Sequence, residues 1–239
     1  MKHNIVAVIA CHGRLPLLRR TIDRLYQKNG VRAVICVGGD AEEFTCKQAG
    51  AFFVRHENRP LGKKWNAGFL RAKTFNPEAV LFVGSSDWLS DNWLNIAMPF
   101  VDEYDIIGKT DFYMLDVPLE GAIRSAFWVG YGAGARENEP IGIGRVVSAR
   151  MMDKMNWQPF EDNRNNSMDW MMYHKALQLG GTVKLIEGSE IKSLSISTDA
   201  WPNMHKFEDH WNDKVPSKSV RLSPEWVNDE FPEYKLIFK

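Results

Sequence analysis

A single acid lies shortly after a run of five apolar residues at positions 79–83. Residues 79–83 are all apolar, and Gly84, two serines and Asp87 come directly after them. Such a run predicts a buried strand of a mostly parallel sheet, in which ligands bind beyond the carboxyl ends of the strands. There a carboxylate could share a divalent cation with a diphosphate. The alternative is that Asp87 caps or turns the segment 88–94.

A glycine, two lysines and an asparagine mark a second segment, residues 56–68. Gly62 would let a ligand approach the backbone closely, and Lys63 and Lys64 follow it where a helix is predicted to begin. A helix amino end beside lysines favours a diphosphate. Asn66 can hydrogen-bond a sugar or ribose hydroxyl. An ordinary loop with solvated lysines is the alternative.

Strand and helix patterns alternate through the first hundred residues, which include both of these segments. Alternation of this kind predicts a parallel sheet covered by helices on both faces, with the site at the carboxyl edge. The predicted strands are 5–10, 34–37, 51–54 and 79–83, and the predicted helices are 17–25, 41–49 and 63–73.

The rest of the chain is less regular. Strands are predicted at 106–108, 112–115 and 182–186, helices at 146–155 and 168–179, and a loop or hairpin connection at the glycine-rich 130–144. The glycines at 130–134 lack the strand and helix that a dinucleotide fingerprint requires. We expect one domain over 1–211, with halves 1–100 and 101–211. Residues 212–239 are expected to form an extended arm that packs through its aromatic side chains on the domain or on a partner.

The composition excludes several classes of function. Lys plus Arg and Asp plus Glu number 30 each in 239 residues, and without a basic block we expect no nucleic-acid partner. Three cysteines without CxxC spacing argue against a disulfide framework or a structural zinc site and fit a reducing compartment. The apolar run at the start of the chain is too short for a signal peptide or a membrane span. We therefore expect a cytoplasmic protein.

Four motifs in order resemble the family 2 type of glycosyltransferase with the GT-A fold. They are Val6-Ala7-Val8-Ile9-Ala10-Cys11-His12-Gly13-Arg14, Val34-Ile35-Cys36-Val37-Gly38-Gly39-Asp40, Leu61-Gly62-Lys63-Lys64-Trp65-Asn66-Ala67-Gly68 and Phe82-Val83-Gly84-Ser85-Ser86-Asp87. The resemblance implies an α/β fold with a mostly parallel central sheet flanked by helices. It also implies a hexosyltransferase that moves a sugar from a nucleotide-diphosphate donor, with a UDP-sugar favoured, to a hydroxyl of a glycan or other acceptor. Inversion and assistance from Mn²⁺ or Mg²⁺ are expected.

The resemblance assigns the donor side of the site to matching positions. Asp87 matches the last acid of the family's Asp-x-Asp metal motif, while Ser85 stands where the first acid is expected. A hydroxyl is a poorer ligand for a hard cation than a carboxylate. Gly38 and Gly39 stand where an Asp near the base is common, with Asp40 as a replacement. The residues expected to bind the nucleotide-sugar are Ala10, Cys11, Arg14, Asp40, Gly62, Lys63, Asn66, Ser85 and Ser86.

An inverting transferase also needs a carboxylate that removes the proton of the acceptor hydroxyl. Asp169 matches the family's base position, since it precedes a helix that ends at two glycines, although Met168 replaces the usual Glu. A first-turn acid that favours the helix dipole is the alternative. The residues expected to bind the acceptor are Trp157, Glu161, Asp162 and Trp170.

His205 lies where some GT-A enzymes contribute a C-terminal histidine, and it is expected to supplement Asp87 as a metal ligand. Two other functions stay open. One is a sugar nucleotidyltransferase, for which residues 11–14 make a poor phosphate loop. The other is a non-catalytic nucleotide-sugar or glycan-binding protein derived from a transferase, which Ser85 and Met168 motivate. The oligomeric state is not predicted.

Overall fold

The computed structural model describes residues 3–118, 120–132, 134, 136–188, 190–198, 207, 219–223 and 225–237. Its strands are β1 (His3–Ala10), β2 (Val31–Gly38), β3 (Phe52–Arg55), β4 (Ala79–Phe82), β5 (Asp87–Leu89), β6 (Ile106–Gly108), β7 (Phe112–Asp116), β8 (Arg124–Trp128), β9 (Arg145–Ser148), β10 (Val183–Leu185), β11 (Ser193–Ser197) and β12 (Ser219–Leu222). Its α-helices are α1 (Leu15–Gln27), α2 (Asp40–Gln48), α3 (Leu61–Lys73), α4 (Trp93–Ala97), α5 (Ala149–Lys154), α6 (Met168–Gln178) and α7 (Trp226–Glu230).

A seven-stranded sheet forms the centre of the fold, in the order β10-β6-β9-β4-β1-β2-β3. Every neighbouring pair is parallel except the two that involve β9. The strands and helices predicted in the first hundred residues are all present. The predicted α/β fold with a mostly parallel central sheet flanked by helices is therefore confirmed.

The alternation of side chains along β1 explains why both faces of this sheet are covered. Ile5, Ala7 and Ile9 pack into the apolar cluster that contains the buried face of α1. Val6 and Val8 point the other way, into the cluster with α3, α5 and α6. A strand that is apolar on both faces has to be buried on both, and so the helices lie on either side.

One predicted helix is wrong in its first three residues. Residues 146–155 were expected to be helical, but β9 occupies Arg145–Ser148 and α5 begins only at Ala149. Val146 and Val147 are β-branched and pair with both β4 and β6 at the centre of the sheet. Ser148 then ends the strand and starts the helix, because its Oγ accepts the N–H of Met151 at 3.1 Å.

A second sheet of five strands, ordered β12-β8-β7-β11-β5, continues the fold beyond the carboxyl end of β4. It includes part of the predicted C-terminal arm. Within the described residues that segment forms β12, α7 and a 3₁₀ helix at Pro232–Ile237, and β12 pairs with β8. Val227, Phe231 and Tyr234 are buried in one cluster with Trp88. No described helix is both long enough and apolar enough to cross a membrane.

Candidate functional site

Asp87 lies in the turn-and-strand unit that follows β4. Its Oδ2 accepts the N–H of Gly84 at 2.7 Å. A Cβ atom at position 84 would lie 2.4 Å from that oxygen, so the carboxylate fits only because residue 84 is glycine. Burial raises the pKa of Asp87 to about 6, while the Gly84 N–H, the charge of Arg14 and a hydrogen bond with Ser195 act in the opposite direction.

Arg14 is the cation whose charge acts on Asp87. It follows β1 in a left-handed backbone conformation, with φ 51°, and α1 begins at the next residue. Its Nη1 donates to Ser86 Oγ at 3.0 Å. Desolvation lowers the pKa of Arg14, and the charge of Asp87 opposes this shift. A guanidinium stays protonated in proteins, so the site pairs a fixed positive charge with the half-buried carboxylate.

Asp169 lies in the first turn of α6 and is half-buried. Its Oδ1 occupies the space above Gly142, where a Cβ atom would lie 2.3 Å away. The backbone carbonyl of Asp169 accepts Nη1 of the fully buried Arg145 at 2.8 Å. Arg145 also donates to the carbonyls of Pro140 and Ile141, and thereby fixes the start of α6 against the strand next to β4.

Asp169 lies near the end of β4, the strand that leads to Asp87, because a Cβ atom at Gly142 would lie 2.3 Å from its Oδ1 and 3.0 Å from the ring of Phe82. The negative charge of Asp169 is one of the causes that raise the pKa of Asp87, which places the two carboxylates within electrostatic reach of each other. Asp87 belongs to β5 and Asp169 to α6, 82 positions later in the sequence. The fold therefore gathers two acids and the guanidinium of Arg14 at the carboxyl edge of the central sheet.

The glycine-rich segment contributes a wall to this site. The Arg136 guanidinium carbon lies 3.5 Å from the centre of the Tyr131 ring, and Arg136 makes two hydrogen bonds, of 2.6 and 2.7 Å, to the buried Glu139. Burial raises the pKa of Tyr131, and the charge of Asp169 adds to the shift. Tyr131 therefore lies in the electrostatic environment of the candidate base.

The amino end of α3 is already occupied by the protein. The N–H of Leu61 donates to Asn165 Oδ1 at 3.1 Å, and the N–H of Gly62 donates to the carbonyl of Arg164 at 2.8 Å. A Cβ atom at position 62 would lie 2.0 Å from the carbonyl oxygen of Glu161. The close backbone approach predicted for Gly62 is made by this loop.

Asn66 holds the same loop. Its amide nitrogen donates to the carbonyl of Phe160 at 2.8 Å and to Asp162 Oδ1 at 3.0 Å, and its Oδ1 accepts the N–H of Phe160 at 3.2 Å. Asn66 is 3% exposed, so both of its N–H donors serve the fold. Its predicted contact with the nucleotide-sugar stays a prediction, limited to the remaining lone pair of Oδ1.

Of the two adjacent lysines, Lys64 is the buried one. Its ammonium donates to the carbonyl of Cys11 at 2.6 Å and to Asn58 Oδ1 at 3.0 Å, and desolvation lowers its pKa. It ties the end of β1, where Ala10 and Cys11 lie, to the loop before α3. Lys63, which was the predicted ligand, is exposed at the start of α3.

Glu42, and not the predicted Asp40, is the buried acid near the end of β2. Its two carboxylate oxygens accept the N–H groups of Gly13 at 2.7 Å and Gly39 at 2.8 Å, and the residue is 3% exposed. Asp40 instead points to solvent and pairs with Arg55 at 2.7 Å. Glu42 thus fixes the loop that leads to Arg14.

The four predicted acceptor residues differ in access. Trp157 is buried in the core, and its Nε1 donates to Asp153 Oδ1 at 2.7 Å. Trp170 is 41% exposed, packs against His174 in a tilted arrangement at 4.5 Å between ring centres, and directly follows Asp169 in the chain. Glu161 and Asp162 are exposed on the loop that Asn66 holds.

Several residues of the site carried no sequence signal. Arg145 stands alone before an apolar strand, and Ser195 meets Asp87 only because β11 pairs with β5. Glu42 had a local signal, since a glutamate three residues after a helix start can bond back to the N-cap amide.

The three cysteines cluster with their sulfur atoms within 4.8 Å of one another, and all are buried and free. His205 lies outside the described residues.

The residues around Asp87 fit a divalent cation poorly. Ser85 is 2% exposed, and its Oγ has no hydrogen-bond partner among the described residues. The hydroxyl of Ser86 accepts Arg14, whose positive charge stands beside the one carboxylate. Within the ranges that the structure describes, the cysteine cluster is the one group of three or more metal-ligating side chains, and Asp87 is not part of it.

No protein-family model and no curated protein matches the chain by sequence. Solved structures do resemble it. A mannosyltransferase, PcManGT from Pyrobaculum calidifontis in complex with GDP-Man and Mn²⁺, is 9% identical, with a TM-score of 0.52 over 85% of this chain and 59% of that one. S. aureus TarS 1–349 is 11% identical, with a TM-score of 0.51 over 82% and 60%, and its complex with UDP is 14% identical, with a TM-score of 0.50 over 82% and 60%.

These likenesses define the class of fold. The chain has the GT-A fold of nucleotide-diphospho-sugar transferases, as its four motifs predicted. It spans about three-fifths of the length of the mannosyltransferase and TarS structures.

Proposed function

We propose that the protein is a glycosyltransferase that moves a sugar from a nucleoside-diphosphate donor to an acceptor hydroxyl. The observation that carries this proposal is the meeting of Arg14, Asp87 and Asp169 at the carboxyl edge of the central sheet. The site offers a cation for a leaving diphosphate and a carboxylate for an acceptor proton. Both are needed when a sugar passes between two oxygen atoms.

Asp169 acts as the general base in this proposal. A base must stand within hydrogen-bond reach of the acceptor hydroxyl and keep one orientation. Gly142 leaves room for its carboxylate, and Arg145 fixes the backbone of the turn that carries it. Attack by the deprotonated hydroxyl on the side opposite to the diphosphate inverts the anomeric carbon, which is the outcome we propose.

The loop from Ala10 to Arg14 receives the donor. Its backbone is fixed on one side by Lys64, through the carbonyl of Cys11, and on the other by Glu42, through the N–H of Gly13. A loop held in this way presents Arg14 to the diphosphate without a cost of ordering on binding. A UDP-sugar of the hexose type is the donor that we propose, following the resemblance to family 2.

The expected Mn²⁺ or Mg²⁺ would be held by Asp87, and such an ion supplies charge for the departing diphosphate. A similar solved structure contains Mn²⁺. The surroundings of Asp87 do not favour this ion, because Ser85 is buried and Arg14 donates to the neighbouring Ser86. No step of the proposed reaction depends on the ion.

Trp170 supports a glycan as the acceptor. Its ring is partly exposed one residue from the candidate base, and aromatic faces pack well against the apolar faces of sugar rings. Trp157 lies in the core and its Nε1 is bonded to Asp153, so a direct contact with an acceptor would need a rearrangement of that cluster.

Binding of UDP, GDP, CDP and dTDP, followed by the thermal midpoint of unfolding, tests the donor site. One nucleotide at a hundredfold excess over its Kd should add about 2.7 kcal/mol of stability, and stabilisation by none of the four would contradict the proposal. Turnover of the matching nucleotide-sugar then tests catalysis. Tight binding with neither transfer nor donor hydrolysis would favour a non-catalytic binder, and pyrophosphate release from a nucleoside triphosphate would favour a nucleotidyltransferase.

A further inference from the structure

We propose that the guanidinium of Arg14, rather than a divalent cation, neutralises the diphosphate of the donor, so that donor binding needs no metal. This inference rests on the proposed function and names the group that recognises its ligand. The ligand class is a nucleoside diphosphate or its sugar ester.

Two buried hydroxyls replace the acid that a metal pair would need. Ser85 stands at the expected position of the first acid, but its side chain is turned into the protein, where the Oγ has no hydrogen-bond partner among the described residues. Ser86 is 3% exposed and accepts the Nη1 of Arg14. One hydroxyl is thus enclosed and the other is already engaged by Arg14.

Arg14 already fills the electrostatic role of a cation at this place. Its positive charge is among the causes that lower the pKa of Asp87, and the charge of Asp87 in turn favours protonated Arg14. A divalent ion on Asp87 would have to approach this fixed charge, and like charges repel strongly where water is scarce. The guanidinium and the carboxylate therefore stabilise each other's charged forms.

The guanidinium has hydrogen-bonding capacity to spare. It carries five N–H donors, of which Nη1 serves Ser86, and its buried Nε has no partner within the described ranges. The residue is only half-buried, so part of the side chain reaches solvent at the sheet edge. A guanidinium can bind a phosphate in a bidentate manner. The amino end of the 13-residue helix α1, which begins at Leu15, adds partial positive charge at the same edge.

Asp87 then becomes a positioning residue. Its Oδ2 is fixed by the N–H of Gly84, and Ser195 bonds the same carboxylate from β11. Ser86 holds one edge of the Arg14 guanidinium, and in this inference the charge of Asp87 keeps that guanidinium protonated beside the diphosphate. The same acid that the sequence assigns to a metal would thus act on the donor through Arg14.

Nucleotide affinity without metal tests this inference. The probe is the best binder among UDP, GDP, CDP and dTDP, titrated into EDTA-treated protein and into protein with Mn²⁺ by calorimetry. We expect affinities within threefold of each other in the two conditions. Arg14→Met should weaken binding about tenfold to a hundredfold, as expected for a lost charge-assisted contact. The affinity of Arg14→Lys should lie between those of Arg14→Met and the wild type. Arg20→Met, a charge removal on helix α1, which directly follows Arg14, is the matched control and should bind as the wild type does.

The outcomes separate this inference from the function on which it rests. Binding that appears only with Mn²⁺ would overturn the metal-free inference and leave the transferase proposal standing. Metal-free binding that Arg14→Met does not weaken would overturn the role of Arg14 alone. No binding in either condition would overturn both. Unfolding midpoints of the free variants show whether a loss of binding reflects a loss of fold.

Discussion

At the scale of single residues, the candidate site depends on two carboxylates that are each packed over a glycine. Asp87 lies over Gly84 and Asp169 over Gly142, with 2.4 and 2.3 Å from each nearest carboxylate oxygen to the position where a Cβ atom would stand. Such packing restricts the direction of a short acidic side chain, and at Asp87 the N–H of Gly84 adds a hydrogen bond. At Asp87 the burial also removes water from the carboxylate, and this loss raises its pKa.

The raised pKa of Asp87 predicts a specific pH dependence of stability. Its pKa rises from an ordinary value of 3.8 to about 6 on folding, so the folded protein holds this proton more tightly. The resulting stabilisation is complete below about pH 4 and is lost as the pH rises through about 6. Asp87→Asn keeps an oxygen for the Gly84 N–H and should remove a loss of up to about 3 kcal/mol across this window.

Urea unfolding at pH 4, 5, 6 and 7 measures this effect. The difference between Asp87→Asn and the wild type should shift in favour of the variant as the pH rises. Asp102→Asn, which removes an exposed acid, serves as the control and should track the wild type. If the curves of Asp87→Asn and the wild type stay parallel, the carboxylate is not desolvated as described.

At the scale of elements, the loop 160–165, which precedes α6 in the chain, is hydrogen-bonded to α3. Asn66 bonds both backbone groups of Phe160, and Asn165 and Arg164 occupy the first N–H groups of α3. The sequence indicated that Asn66 matters, but the partner that it binds could not be read from spacing. That partner lies 94 positions away in the chain.

Asn66→Ala should therefore lower the free energy of unfolding by about 2–3 kcal/mol, because it leaves buried backbone groups of Phe160 without partners. Asn163→Ala, an exposed change in the same loop, should stay within about 0.5 kcal/mol of the wild type. Chemical unfolding of both variants measures this. A variant Asn66→Ala that is fully stable but binds nucleotide poorly would instead support a direct donor contact.

Sequence patterns predicted the elements of the first half well because strands buried on both faces and amphipathic helices leave strong periodicities. They failed at residues 146–155, where Val146 and Val147 in β9 run directly into the helix that Ser148 caps. An apolar run does not by itself distinguish a central strand from a buried helix. The roles of Arg145 and Ser195 could not be predicted, since each depends on pairing between distant strands.

At the scale of the whole molecule, two sheets meet where the site lies. β4 of the central sheet leads through the turn at residues 83–86 into β5 of the second sheet, and Asp87 is the first residue of β5. The C-terminal segment completes the second sheet and closes an apolar cluster beneath β5, with Phe231 against Trp88 at 6.0 Å between ring centres. The stability of the site is thus coupled to residues near the end of the chain.

Phe231→Ala tests this coupling. Phe231 is fully buried, so its truncation should cost about 3–5 kcal/mol of unfolding free energy. Phe44→Ala removes a ring that is 69% exposed and should cost less than about 0.5 kcal/mol. Unfolding curves give both values. Equal, small effects would mean that the C-terminal segment is not part of the cooperative core.

The proposed role of Asp169 as the base of a glycosyl transfer is tested by comparing catalysis and binding in one variant. The measurement is turnover of the nucleotide-sugar by Asp169→Asn, with water or a simple glycan as acceptor, beside calorimetric affinity for the nucleotide and Asp102→Asn as the control. We predict a rate reduced about 10²- to 10⁴-fold, with nucleotide affinity within twofold of the wild type. Near-normal turnover by Asp169→Asn would contradict the account.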